Sequence, residues 1–244
     1  AGDDVGNYSI TDQGSTTANI TAKALTATAS ASNKVYDGTT TATATLTLSG
    51  LVGAETLGQS VGATFADKNV ANAKTVTVNS ITLSDGDSGG LASNYSISTG
   101  QTTTANITAK ALTIAGITAS NKTYNGNTTA TIDASAATFT GLVDGDDVTV
   151  SATGTFDNKN VGTNKTVTLT ETNAGDDVGN YSITDQGSTT ANITAKALTA
   201  TASASNKVYD GTTTATTTLT LSGLVGSETL GQSVGATFAD KNVA

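Results

Sequence analysis

A unit that recurs about every 86 residues, stretches of strand length that alternate polar with apolar side chains, and a composition dominated by Thr, Ala, Ser, Gly, Val and Asn together predict an all-β chain. The expected architecture is a set of tandem immunoglobulin-like β-sandwich domains in an elongated array. Such a composition favours extended backbone and turns over helix, and it supplies few large apolar groups. With six Tyr, four Phe and no Trp in 244 residues, each domain is expected to be small. Its core should rest on many Val, Ile, Leu and Ala contacts at roughly 25 cal/mol per Å² buried.

The repeat shows at two scales. Residues 1–71 recur as residues 174–244 with two differences, Ala44 matched by Thr217 and Ala54 by Ser227. Inside this long repeat lies a shorter one. Tyr8, Tyr95 and Tyr181 each open Tyr-Ser-Ile, and the steps between them are 87 and 86 residues. Asn19, Asn106 and Asn192 each open Asn-Ile-Thr-Ala-Lys-Ala-Leu-Thr. A third marker runs from Asn33 to Gly38 and returns at Asn121 to Gly126 and at Asn206 to Gly211. On this frame residues 25–111 and 112–197 are complete repeats. Residues 1–24 are the C-terminal part of a truncated repeat and residues 198–244 the N-terminal part of another, so the chain is expected to continue in both directions.

Along one repeat, six or seven strands are predicted, at residues 25–30, 41–49, 60–65, 74–83 (as one strand or two), 94–98 and 103–109, separated by Gly, Asn and Asp turns. Thr41 to Leu48 alternates strictly, as a strand with one buried face must. Residues 74–83 alternate too, with a phase slip near Asn79-Ser80 that predicts a bulge or bend. No helical period survives over eleven residues. At the joint, Ile20, Ala22 and Ala24 alternate on one phase and Leu25, Ala27 and Ala29 on the other. Nothing loop-like intervenes, so neighbouring domains are expected to be held in a restricted orientation, as a semi-rigid rod.

Absent residues exclude several chemistries. There is no Cys, His, Met, Trp, Arg or Pro, so thiol nucleophiles, disulfides, thiolate metal sites and the usual near-neutral general base are all ruled out. Ser and Thr are plentiful, yet no positioned base accompanies them, and a site copied into every repeat would be unusual for an enzyme. No catalytic and no cofactor-binding residue is assigned. The formal charge is −9 with every positive charge on lysine, and no basic cluster suits nucleic acid or an anionic membrane. No segment approaches the roughly 18 consecutive apolar residues of a spanning helix.

Three features invite a binding reading. Tyr36-Asp37-Gly38 returns as Tyr124-Asn125-Gly126 and as Tyr209-Asp210-Gly211. These residues read as a structural turn: Asp or Asn bonds the backbone two residues on, Gly takes positive φ, and Tyr covers the core edge. Acidic loops at Asp85-Gly86-Asp87 and at Asp144-Gly145-Asp146-Asp147, and the pairs Asp3-Asp4 and Asp176-Asp177, have carboxylates at a spacing that suits Ca²⁺, which takes 6 to 8 oxygen ligands. Asp144, Asp146 and Asp147 are the best metal candidates, weighed against solvated turn residues, which are favoured. The row Thr41, Thr43, Thr45 and Thr47 suits either a carbohydrate-binding face or plain solvent surface. Lys23, Lys110 and Lys196 lie near asparagines in the sequence, as an isopeptide crosslink would require.

With the Tyr-Asp-Gly turn, the Asn-Ile-Thr-Ala-Lys-Ala-Leu-Thr junction and the 86-residue period in view, the whole chain resembles the YDG and MBG-type bacterial immunoglobulin-like repeats. The resemblance departs at Asn125, where Asp is expected, and at Ala24, Ala111 and Ala197, where Pro often stands. It implies a setting in large secreted adhesins similar to filamentous haemagglutinin. The expected function is that of an extracellular stalk or spacer giving length and stiffness. Its partners would be neighbouring repeats and, in a fibre, other copies associating laterally or end to end. The alternative is a repeated glycan- or Ca²⁺-binding module.

Overall fold

The computed structural model describes residues 2–243. Backbone contacts divide the chain into two units, Ala1–Ala109 and Lys110–Ala244. Each contains one whole β repeat, and the described residues hold no α-helix, only three single turns of 3-10 helix at Val5–Asn7, Ala92–Asn94 and Val178–Asn180.

In the first unit a five-stranded sheet runs, edge to edge, through Lys34–Val35, Thr102–Thr108, Ala71–Asp85, Leu57–Phe65 and Thr41–Ala42. All its pairings are antiparallel except the first, where Lys34–Val35 lies parallel to the last strand of the repeat. Thr26–Ala31 pairs antiparallel with Ala44–Ser49, and Lys23–Ala24 lies parallel to Tyr95–Ser96. The second unit repeats the five-stranded order with Lys122–Thr123, Ser188–Thr194, Gly162–Ala174, Thr149–Phe156 and Thr129–Ala130. A second sheet there places Lys110–Ala115 between Thr138–Thr140 and Tyr181–Thr184.

The core of the second repeat joins residues from both sheets, which makes it a two-layered sandwich. Phe156, Val167, Leu169 and Ile193 come from the large sheet and Ile114 from the small one, with Phe139 and Ile183 packed alongside. Each such side chain, fully buried, stabilises by about 1.5–3 kcal/mol relative to exposure. In the first repeat Phe65, Val76, Val78 and Ile107 are buried in the same way. The all-β tandem organisation expected from the sequence is therefore what the chain adopts.

Two irregularities shape the large sheet. Opposite Gly62 and Ala63 the partners are Ser80 and Val78, so Asn79 is the extra residue of a bulge. That is the place where the alternation slips. The second irregularity is shared by both repeats: the register jumps between Ala71 and Lys74, and again between Gly162 and Lys165. At each jump a residue other than glycine takes positive φ, Ala73 at 50° and Asn164 at 49°. The asparagine that opens Asn-Ile-Thr holds this bulge, because Asn106 Oδ1 accepts from the Ala73 N–H at 2.8 Å. The Asn106 N–H in turn donates to Asn33 Oδ1 at 2.7 Å. One chain of hydrogen bonds thus ties the first short strand, the last strand and the bulge together.

The stretch 41–49, expected as one strand, is two. Thr41–Ala42 belongs to the large sheet and Ala44–Ser49 to the small one, with Thr43 as the point of crossing. All four threonines of the row are exposed, but Thr41 stands in a different sheet from Thr45 and Thr47, so they do not form one flat row.

Residues 2–24 and 175–197 have the same sequence and different structures. In the later copy Ser188–Thr194 is a strand beside Gly162–Ala174, and Ile193 is 1% exposed. In the earlier copy no strand precedes Lys23 among the described residues, and Ile20 is 102% exposed. The segment becomes a strand where the sheet and core of its own repeat are there to receive it, which is how tertiary context overrides local preference. Residues 198–243 behave in keeping with this. Their local hairpin, Thr199–Ala204 with Thr217–Ser222, forms in the same register as its counterpart, while the five-stranded sheet does not.

Candidate functional site

The Tyr-Asp-Gly turn is built around a lysine. Lys34 Nζ lies 2.7 Å from Asp37 Oδ1 and 2.7 Å from the Thr39 carbonyl oxygen, and it sits 5.6 Å from the centroid of the Phe65 ring. Asp37 Oδ1 also accepts from the Thr39 N–H and hydroxyl, each at 2.9 Å, while Gly38 takes φ of 77°. An Asx-type turn, an ion pair and a cation over an aromatic face share one small volume. Lys207, Asp210, Gly211, Thr212 and Phe238 reproduce the same arrangement. In the middle copy Asn125 replaces the aspartate. Lys122 there donates to Asn127 O, Asn127 Oδ1 and Thr129 O at 2.8–3.0 Å, over the Phe156 ring. Burial without a facing carboxylate lowers the Lys122 pKa.

The acidic loops are engaged in holding backbone. Tyr181 donates to Asp146 Oδ2 at 2.5 Å and accepts from the Val143 N–H at 3.0 Å. Asp147 Oδ2 accepts from the Asp176 N–H and the Asp147 N–H donates to Asp177 Oδ2. In the first repeat Tyr95 makes the matching pair of bonds, donating to Glu55 and accepting from Val52 N–H. The hydrogen bond to Glu55, then burial, push the Tyr95 phenol above its usual pKa, so it remains a donor. Asp85 accepts from the Ala92 N–H at 2.8 Å and Asp4 from the Asn7 side chain. Among the described residues no three carboxylates are grouped to hold a metal, and Asp144, Asp146 and Asp147 are not brought together in that way. Among the described residues, Lys23, Lys110 and Lys196 are not hydrogen-bonded to any asparagine.

The tyrosine of Tyr-Ser-Ile was legible as a strand marker; its hydroxyl's partner was not. An available signal was the recurrence of an acid at one place, Glu55, Asp146 and Glu228, four or three residues after a Leu-Val pair.

Within the second unit one cluster crosses from repeat 112–197 to residues 198–244. Tyr124 donates its hydroxyl to Glu228 Oε1, and Lys159 Nζ is 2.8 Å from the same oxygen and 5.8 Å from the centroid of the Tyr124 ring. Lys159, then Tyr124, hold the Glu228 pKa below the usual carboxylate value, and Glu228 in turn raises that of Lys159. Lys196, one of the joint lysines, adds its charge to the same carboxylate.

A family model described as the YDG domain matches residues 21–105, 108–191 and 194–244. No curated protein and no solved structure matches the chain.

Proposed function

Because the chain belongs to the YDG domain family, we propose that it is a run of structural spacer repeats in a secreted adhesin or surface fibre, serving outside the cell to give length and stiffness. The observation that carries this reading is the joint. The strand Thr102–Thr108 ends one repeat and Lys110–Ala115 opens the next, with Ala109 as the one residue between them. So short a connection leaves few free torsions, in contrast to a Gly/Ser linker. The polar side chains singled out by repetition are spent on turns, bulges and loop closure, which is what a spacer needs to preserve from copy to copy. A net charge of −9 favours solubility of a long, crowded array. Neighbouring repeats are the first partners of each domain, and lateral or end-to-end association of chains would make the fibre.

Small-angle scattering from a chain of four whole repeats, in Ca²⁺ and in chelator, tests the reading. A long profile unchanged by Ca²⁺ supports the spacer. A chain that extends only with Ca²⁺ moves the acidic loops into a binding role and removes it.

A further inference from the structure

The three side chains that meet across the joint of the second unit have counterparts in each copy that contains this part of the repeat. Tyr36 with Lys68, and Tyr209 with Lys241, occupy the places of Tyr124 and Lys159, while Glu55 and Asp146 occupy the place of Glu228. We propose that the tyrosine of the Tyr-Asp/Asn-Gly turn, backed by the lysine of the neighbouring loop, is a docking point for the acidic loop of the repeat that follows. The partner this surface fits is the next copy of the repeat.

Geometry at the observed joint supports this in three ways. Two donors from one repeat, the Tyr124 hydroxyl and the Lys159 ammonium, converge on one oxygen of the next, and two convergent bonds fix a direction where one would leave a pivot. The glycine of the turn is needed twice. Gly126 takes φ of 80°, and a Cβ there would stand 2.8 Å from Val225 Cγ1, in the loop that carries Glu228. Around Gly211, whose turn meets no such loop, nothing lies within 4 Å. The ring of Tyr124 is itself half-buried at this joint.

Docking is compatible with the internal use of the same acid. Glu55 and Asp146 each accept their own repeat's tyrosine on one carboxylate oxygen, and Glu228 likewise uses one oxygen for Tyr124 and Lys159. A carboxylate has two, so it can close its own loop and receive the preceding repeat at once. The side chains of Lys159 and Glu228 are 46% and 34% exposed. In such partly wet surroundings an ion pair contributes orientation more than strength, and salt weakens it. For its purpose the docking point rests on the spacer reading, because a directed joint is what makes a string of domains stiff; its geometry does not.

The chain has no cysteine, so Thr170→Cys with Thr220→Cys places a single pair of spin labels across this joint. A narrow distance distribution is expected in the parent chain, with loss of the narrow component in Tyr124→Phe and in Glu228→Gln. The two changes combined should do no more than either alone, as for partners in one interaction. Tyr209→Phe, in a turn with no docked loop, should leave the distribution unchanged. A broad distribution in the parent, a narrow one that survives both changes, or equal broadening by Tyr209→Phe would each overturn the proposal. Broad labels in an array that still lengthens in proportion to repeat number would remove the docking point and leave the spacer standing.

Discussion

Asn192 accepts, on its side-chain oxygen, the backbone N–H of Asn164 at 2.8 Å, and so holds a residue other than glycine at φ of 49° inside a strand. The N–H of Asn192 itself goes to Asn121 Oδ1 at 2.7 Å. Removing the side chain leaves a strained backbone donor without its acceptor. Asn192→Ala should destabilise the second repeat by about 1–3 kcal/mol. Asn19 has the same local sequence and is exposed, so Asn19→Ala should be silent. Urea midpoints of the two variants check this, and equal effects would contradict it.

Gly175 and Gly2 form another matched pair. Gly175 has φ of 117°, and a Cβ there would sit 2.3 Å from the Asp147 carbonyl oxygen, a backbone atom that cannot swing aside. Around Gly2 nothing lies within 4 Å. Gly175→Ala should cost about 2 kcal/mol or more, and Gly2→Ala nothing measurable, when unfolding is followed by hydrogen exchange in the second repeat.

Tyr181 closes the loop of its repeat by two hydrogen bonds, to Asp146 and from Val143. Tyr181→Phe keeps the ring in the core and deletes both bonds. A loss of about 1–2 kcal/mol is expected, with faster amide exchange at Val143. Tyr8, at the same place in the identical segment, is 75% exposed, and Tyr8→Phe should change nothing.

Acid should act on the outer turns and spare the middle one. The Asp210 carboxyl is held down to about 2 by the Lys207 ammonium and by the Thr212 N–H and hydroxyl. Asp37 is lowered as well; burial, the largest single influence, pulls it upward and is outweighed by Lys34 and Thr39. A depressed carboxylate contributes stability that is complete above its unfolded pKa of about 4 and is lost as pH falls through the folded value. The stabilisation from the Asp210 turn should therefore fade between about pH 4 and about pH 2, that from the Asp37 turn should fade as pH falls below about 4, and the turn at Asn125 has no carboxylate to titrate. Carboxyl chemical shifts check it: an Asp210 midpoint near 4 would contradict the pairing.

Much of the fold was legible because alternation and burial share a period. Residues 60–65, 74–83 and 103–109 were expected as strands and lie within Leu57–Phe65, Ala71–Asp85 and, but for Ala109, Thr102–Thr108. The slip at Asn79 was visible because a bulge shifts the phase of the pattern itself. The crossing at Thr43 was not, since a chain that changes sheets can keep alternating as it does so. Lys34–Val35 is two residues long and has no period to read. Asn33 and Asn106 were visible only as the opening residues of repeated motifs, because a side-chain bond to backbone across the sheet leaves no mark on local spacing. Residues 1–24 set a firmer limit. The same letters make a strand at Ser188–Thr194 and, among the described residues, none before Lys23, so what they form depends on the rest of the repeat.

The spacer role is tested most directly by the largest dimension of arrays with two, four and eight whole repeats, read from scattering curves at one salt concentration. Stiff joints predict growth in direct proportion to repeat number. Growth closer to the square root, as for a freely jointed chain, would contradict it.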